Sequence, residues 1–157
     1  WKGLDVNVHF QGAGKSSFFI YGKTVYAFSE GEWGTILKGM VTEDRWRSSE
    51  GSGDVATENT NASYPRLSFG GNANNYRNST YWLRNGAYLR LKTLDIGYTL
   101  PKSLVNRFRI NDLRIFVTGT NLFTWSKFKL WDPEMVNPRG EEYPLPKSIT
   151  VGLTLNL

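Results

Sequence analysis

Four carboxylates lie close together near the end of the chain: Asp132, Glu134, Glu141 and Glu142. Clustered carboxylate oxygens can bind calcium, and a pair held at a fixed separation can hydrolyse a glycosidic bond. Their spacing is not that of an EF-hand, and a loop interrupted by prolines is a poor frame for a catalytic pair. We therefore predict solvated loop acids, with no metal site and no hydrolase.

Two further features could carry chemistry near the start of the chain. Gly14-Lys15-Ser16 resembles the end of a phosphate-binding loop, but the glycine that this loop requires five residues earlier is replaced by His9. His9 is the single histidine and there is no cysteine, which excludes multi-histidine sites and thiol chemistry. His9 shares a polar stripe with Asp5, Asn7 and Gln11, which we interpret as the lining of a polar interior. Contact with another protein segment inside that interior, or with a solute crossing it, is the alternative.

The elements that position these residues show the alternation of apolar and polar residues that is typical of strands. Four such segments lie near 3–12, 81–100, 112–125 and 147–157. In the second segment the apolar phase shifts between Leu91 and Leu94. A one-residue bulge near Lys92–Thr93 would return both side chains to one face.

The last segment keeps its phase throughout. Its apolar face consists of Ile149, Val151, Leu153, Leu155 and Leu157. The connections between strands are unequal, with long stretches at 13–80 and 126–146 and a short turn at 101–111. A structureless loop as long as 13–80 is abnormal in a compact domain, so we expect it to be functional and partly structured.

Composition narrows the classes of protein further. Hydrophobic residues make up 39% of the chain in short runs, which excludes a bundle of transmembrane helices. Aromatic residues reach 15%, which argues against disorder. The net charge of +5 comes from scattered residues without a dense basic run, so we predict no nucleic-acid partner.

Two architectures fit four amphipathic antiparallel strands. One is a soluble sandwich, and the other is an outer-membrane barrel with its apolar face in lipid. A spanning strand needs about 9–11 residues, and such barrels pair short periplasmic turns with long extracellular loops. Both features favour the barrel. Four strands cannot close one, and the chain starts at Trp1 without an initiator Met, so we expect a piece of a longer protein.

Five stretches carry a family resemblance. YLRLKTLDIGYTLP at 88–101 resembles the "SYLRLKNLTLGYTLP" signature of SusC/RagA-type TonB-dependent transporters. LRIFVTGTNLFTW at 113–125 and YPLPKSITVGLTLNL at 143–157 are similar to later strands of that family. WKGLDVNVHFQG at 1–12 is similar to its "YKGFDLSVFFQG", and 132–134 matches its "DPE". Together these stretches cover about a third of the chain.

The resemblance implies an all-β fold in which 1–157 forms the last four antiparallel strands of a 22-stranded transmembrane β-barrel in the bacterial outer membrane. It implies extracellular loops at 13–80 and 126–146 and a periplasmic turn at 101–111. Its partners would be outer-membrane lipid, a SusD-like surface lipoprotein as a lid, and TonB, reached through an N-terminal region outside this chain. The substrate would be an oligosaccharide or a peptide, with no cofactor.

The resemblance also implies that the terminal strand is recognised by the barrel-assembly machinery. Leu157 stands where many such barrels end in Phe. The strand's outward alternation from Ile149 is intact.

Loop aromatics are the candidate contact residues, because aromatic rings stack on sugars and dominate protein interfaces. The candidates for contact with ligand or lid are Trp33, Trp46, Tyr64, Tyr81, Trp82 and Trp131. Interfacial anchoring and local packing are the other interpretations. We predict a non-enzymatic part of an importer; the alternatives are a secreted soluble β-sandwich that binds glycan and a sugar-acting enzyme.

Overall fold

The computed structural model describes residues 2–29, 36–42, 44–52, 55–135 and 137–156. Its strands are β1 (Leu4–Ala13), β2 (Ser17–Phe19), β3 (Leu83–Asn85), β4 (Tyr88–Thr99), β5 (Asp112–Ser126) and β6 (Ser148–Asn156). β1, β4, β5 and β6 form one antiparallel sheet in that order, and β2 pairs with β3. The predicted all-β class, with a sheet of four antiparallel strands, is confirmed.

The helices are single turns. They are α1 (Lys38–Val41), α2 (Ser49–Ser52) and α3 (Lys102–Val105), with 3-10 turns at Val55–Thr57 and Asn106–Phe108. Within the described ranges, no helix has the length and apolar character needed to cross a bilayer. The turn between β4 and β5 consists of α3 and the 3-10 turn that follows it, and Arg109 ends this turn in the left-handed conformation.

The chain divides into two compact units. The strand unit comprises 1–16, 85–134 and 143–157, and the loop unit comprises 17–84 and 135–142. The four-stranded sheet belongs to the strand unit. The loop unit has a small core of its own, formed by Ile20, Val25, Met40 and Trp82.

The register of the sheet aligns apolar residues in rows that cross all four strands. Val6 pairs with Ile96, which pairs with Val117, which pairs with Val151. Directly paired residues point to the same face of a sheet. The next row along the strands is polar and comprises Asn7, Asp95, Thr118 and Thr150. The alternation in the sequence therefore becomes one apolar and one polar face.

The expected bulge is present. Leu91 and Thr93 of β4 pair with neighbouring residues of β1 while Lys92 has no partner in that register. β5 is irregular at the same level, where Asn121 has a φ of 52°. The bulge returns Leu91 and Leu89 to the face of Leu94 and Ile96, because one extra residue reverses the alternation.

The predicted strand near 81–100 is divided in the structure, which corrects its extent. Tyr81 and Trp82 lie in a turn closed by Ser79, whose carbonyl accepts the Trp82 amide at 3.0 Å. β3 pairs with β2, and β4 starts only at Tyr88. The Asn85 side chain accepts the Ala87 amide at 2.8 Å, and this local turn ends β3 before the main sheet begins.

Candidate functional site

The polar face of the sheet carries an ion network that spans three strands. Arg114 of β5 donates to Asp5 of β1, with Nε 3.1 Å from Oδ1 and Nη2 2.6 Å from Oδ2. The same Nη2 donates to Asp95 of β4, which also accepts the Thr118 hydroxyl. Both carboxylates are therefore satisfied by the protein itself, and this cluster joins strands rather than offering a vacant site.

A second network attaches the loop after β5 to the sheet. Arg90 of β4 is 2% exposed; it donates to Asp132, and its Nε lies 3.3 Å from a Glu134 oxygen. Lys92 binds Glu134 at 2.7 Å, and the Gln11 amide donates to the same carboxylate at 3.1 Å. Two of the four clustered carboxylates thus pair with basic side chains of the sheet.

Asp132 is charged in this arrangement. Burial alone would raise the pKa of Asp132, but the hydrogen bond from Arg90, the amide of Glu134 and the positive charge of Arg90 together hold the pKa below its usual value. Among the residues that the structure describes, no group of three His, Cys, Asp or Glu residues is placed to hold a metal ion. Glu141 and Glu142 belong to the loop unit.

Aromatic packing builds the core of the loop unit. Tyr26 stacks on Tyr76 with ring centroids 4.3 Å apart, and Trp82 meets Tyr26 edge-on at 4.9 Å. The Tyr76 hydroxyl donates to the Ala27 carbonyl at 2.8 Å, and the Trp82 indole donates to the Asn75 carbonyl at 2.7 Å. These bonds satisfy polar groups that would otherwise be buried without partners.

A cavity of about 430 Å³ opens beside this core. Its aromatic lining comprises Trp46, Tyr64 and Tyr81, three of the six predicted contact residues. Its polar lining comprises Ser63, Arg66, Asn72 and Asn75. Ligand pockets typically measure about 300–1,000 Å³ and combine apolar walls with a few polar groups. The cavity has the size and composition of such a pocket.

A second cavity of about 380 Å³ adjoins the first, because the two share Pro65, Asn75 and Tyr81. Arg77 and Ser79 are among its other lining residues. We call the two cavities together the loop groove. Tyr81 is the aromatic residue common to both parts.

Two short backbone pairings hold the walls of the loop groove. Tyr64 forms a bridge with Arg45, in which the Trp46 amide donates to the Tyr64 carbonyl at 2.8 Å and the Tyr64 amide donates to the Asp44 carbonyl at 3.1 Å. Arg47 and Asn59 form an antiparallel bridge, in which the amide of each donates to the carbonyl of the other at 2.9 and 3.0 Å. The Asp44 carboxylate accepts the Ser63 amide at 3.0 Å, and bonds from the Ser63 amide and hydroxyl lower the pKa of Asp44.

The ring of Tyr81 contacts Trp82 and lies close to Arg84. Trp82 meets it edge-on at 4.6 Å, and the Arg84 guanidinium lies 5.9 Å from its ring centre. Burial, together with Tyr64 and Asp44, raises the pKa of Tyr81, while Arg84 acts in the opposite direction. The Tyr81 hydroxyl therefore stays protonated at neutral pH and can donate a hydrogen bond.

The other predicted contact residues lie elsewhere. Trp82 is 3% exposed and belongs to the core of the loop unit, although it also borders the second cavity. Trp131 belongs to the strand unit, where it packs edge-on against Phe128 at 4.9 Å. Trp33 lies outside the described residues.

Sequence reasoning did not select the polar residues of the loop groove. These residues are Arg66, Asn72 and Asn75. The available signal was the position of Arg66, two residues after the predicted contact residue Tyr64. The partners of Asp132 and Glu134 were also missed, because Arg90 lies on a distant strand.

The last predicted strand corresponds to β6, whose apolar residues share one face of the sheet. Ile149, Val151, Leu153 and Leu155 of β6 are all exposed, and Leu157 lies outside the described residues. These side chains continue the apolar rows of the neighbouring strand, since Leu153 pairs with Ile115 and Leu155 with Leu113.

No protein-family model matches the sequence. Two curated relatives from Formosa agariphila do match. TonB-dependent receptor P26 is 28% identical over 99% of this chain, and TonB-dependent receptor P3 is 30% identical over 62% of it. The chain spans only 16% and 11% of their lengths.

Solved structures agree with this relationship. The RagAB peptide transporter superposes with a TM-score of 0.70 and 27% identity, over 99% of this chain and 16% of that one. The RagAB peptide importer in its open-open state gives a TM-score of 0.65 and 26% identity, over 100% and 16% of the two chains. In sequence along its whole length and in fold, the chain is therefore related to the TonB-dependent receptors, and its resemblance to the SusC/RagA type is confirmed.

Proposed function

We propose that the chain forms four neighbouring strands of an outer-membrane importer of the TonB-dependent type. The supporting observation is the apolar face of the four-stranded sheet. The side chains of Val6, Ile96, Val117 and Val151 form one row across all four strands and remain 43–70% exposed. Soluble proteins rarely expose a continuous apolar surface of this kind.

Lipid is the solvent that suits this face. Strands of outer-membrane barrels alternate apolar residues toward lipid with polar residues toward the lumen. The opposite face here is polar and carries the Arg114 network, as a lumen wall would. The alternative from the sequence is a soluble glycan-binding sandwich. Its second sheet would have to cover the apolar face of the four-stranded sheet, and the residues of that face are exposed.

The outer edges of the sheet require further strands. Among the described strands, β1 and β6 each pair on one side only, and unpaired backbone groups in lipid cost several kcal/mol each. The relatives are roughly six times as long as this chain. We therefore propose that the sheet continues into a closed barrel of about 22 strands, of which these four are neighbours.

The importer would take up an oligosaccharide or a peptide with energy supplied through TonB. A SusD-like lipoprotein would cover the extracellular loops at 13–80 and 126–146, with 101–111 on the periplasmic side. The RagAB neighbours, described as a peptide transporter and importer, support import by such an assembly. Contact with substrate or lid is assigned to Trp46, Tyr64 and Tyr81 of the loop groove and to Trp33 and Trp131.

The test uses the full-length protein in its own bacterium. We expect it in the outer-membrane fraction, soluble only in detergent, and pulled down together with a surface lipoprotein. Uptake of a labelled substrate should stop when TonB is deleted, while the protein remains in the membrane. Recovery of the protein as a soluble secreted species would contradict the proposal and favour the sandwich.

A further inference from the structure

The loop groove contains two unpaired positive charges. The guanidinium groups of Arg66 and Arg77, one in each cavity, make no hydrogen bond or ion pair with any other residue in the described ranges. No carboxylate lines either cavity within those ranges. Asp44 interacts electrostatically with Tyr81, but its carboxylate is bound by Ser63 and is not part of the lining.

The rest of the lining suits a sugar ring. Tyr64, Trp46 and Tyr81 provide flat apolar surfaces, on which the C–H face of a pyranose can stack. The amide side chains of Asn72 and Asn75 and the Ser63 hydroxyl provide donors and acceptors of the kind that pair with sugar hydroxyls. The two arginines add the planar donor pairs that bind carboxylates bidentately.

A peptide strand has less to bind. Peptides are commonly captured by pairing their backbone with a free strand edge. Tyr64 and Ser63 of the groove wall do not offer a free strand edge, because the Tyr64 amide and carbonyl pair with Asp44 and Trp46, and the Ser63 amide is bound by Asp44. We therefore attribute recognition in the groove mainly to side chains.

We propose that the loop groove is a subsite for an acidic oligosaccharide, an inference that rests on the importer function proposed above. One sugar ring stacks on Tyr81, and its carboxylate is bound by Arg66. The neighbouring ring extends into the second cavity, toward Arg77. Trp82 is a positioning residue that fixes the ring of Tyr81 from the core.

The test measures binding to the purified full-length importer with its lipoprotein. The probes are a tetrasaccharide of uronic acid, its fully methyl-esterified neutral form, and an acidic tetrapeptide of equal charge. We expect the acidic sugar to bind at least about tenfold more tightly than the other two. Arg66→Gln should remove this preference for the acidic over the neutral sugar. Arg66→Lys keeps the positive charge and should therefore retain part of the preference.

Lys38→Gln is the matched control. It removes the same charge from the same unit, at an exposed residue of α1 outside the groove lining, and should leave all three affinities unchanged. Equal affinity for the acidic and neutral sugars, tighter binding of the peptide, or binding of no probe would each overturn the subsite. Outer-membrane location and TonB-dependent uptake are scored separately, so the subsite can fail while the importer function stands.

Discussion

Arg114 on β5 binds Asp5 on β1 across the whole width of β4, through two hydrogen bonds of 3.1 and 2.6 Å. Gly97 of β4 lies beneath the guanidinium, and a Cβ atom at that position would overlap it. The missing side chain is therefore what permits one arginine to connect three strands. Asp95 binds the same guanidinium from β4.

Gly97→Ala should weaken this network and lower the temperature at which the full-length barrel unfolds, as followed by its heat-dependent mobility on gels. The methyl group would force Arg114 away from Asp5 and Asp95. Gly14→Ala is the control, because a Cβ at Gly14 meets no atom within 4 Å. Equal unfolding temperatures for the two variants would show that the network contributes nothing to stability.

Val151→Arg should destabilise the barrel by about 2–4 kcal/mol if the residue lies near the bilayer midplane, since a charge would be placed in lipid. Thr150→Arg, one residue away on the polar face, should cost much less. Denaturant unfolding of both variants in lipid vesicles measures the difference. Similar losses at both positions would contradict the assignment of the two faces.

Arg90→Met should lower the free energy of unfolding by about 3–5 kcal/mol, because it leaves two carboxylates poorly paired beside the sheet. Asp132 and Glu134 would then release their loop, and trypsin should cut after Lys127 and Lys129 faster than in the wild type. Lys127→Met, at an exposed residue of the same loop, serves as the control for stability. Unchanged stability in Arg90→Met would mean that the network does not hold the loop.

The contribution of Asp132 to stability should be lost in acid. Its pKa is lowered in the folded protein, so its stabilising effect is present above the unfolded value near 3.8 and is lost as pH falls through the folded pKa. Wild type should therefore unfold at a higher temperature than Asp132→Asn at pH 7, and this difference should disappear as the pH falls below 3.8 through the lowered pKa of Asp132. A gap that persists in acid would assign the effect of the substitution to packing instead.

Trp82→Ala should unfold the loop unit locally, at a cost of about 3–5 kcal/mol, because it opens a cavity beside Tyr26 and Tyr81. Trp82→Phe removes the indole hydrogen bond to Asn75 and should cost only about 1 kcal/mol. Protease digestion of segment 17–84 in the intact full-length protein distinguishes the two. Equal resistance of Trp82→Ala and wild type to the protease would show that Trp82 does not stabilise the core of the loop unit.

The sheet was predictable because its information is local. Alternation over ten residues assigns Val6 and Val151 to one face, and the phase shift between Leu91 and Leu94 locates the bulge. Division of the second predicted strand was not foreseen, because it depends on a turn around Asn85 that carries no apolar signal.

The candidate site was predictable only in part. Trp46, Tyr64 and Tyr81 were selected as aromatic loop residues, and all three line one cavity. The role of Trp82 in the core, and the positions of Arg66 and Asn75, depend on contacts between residues far apart in sequence. Arg90 illustrates the same difficulty, since a charged residue on a strand is usually exposed, and only its distant partners Asp132 and Glu134 explain its burial.

The two ends of segment 20–82 lie side by side, because the Ile20 amide donates to the Trp82 carbonyl at 3.0 Å. A segment with adjoining ends and a core of its own can be inserted into a host protein, or exchanged, with little disturbance of the host. Evolution could therefore replace this segment as one unit between related proteins. Its sequence could then diversify much faster than that of the strands that carry it.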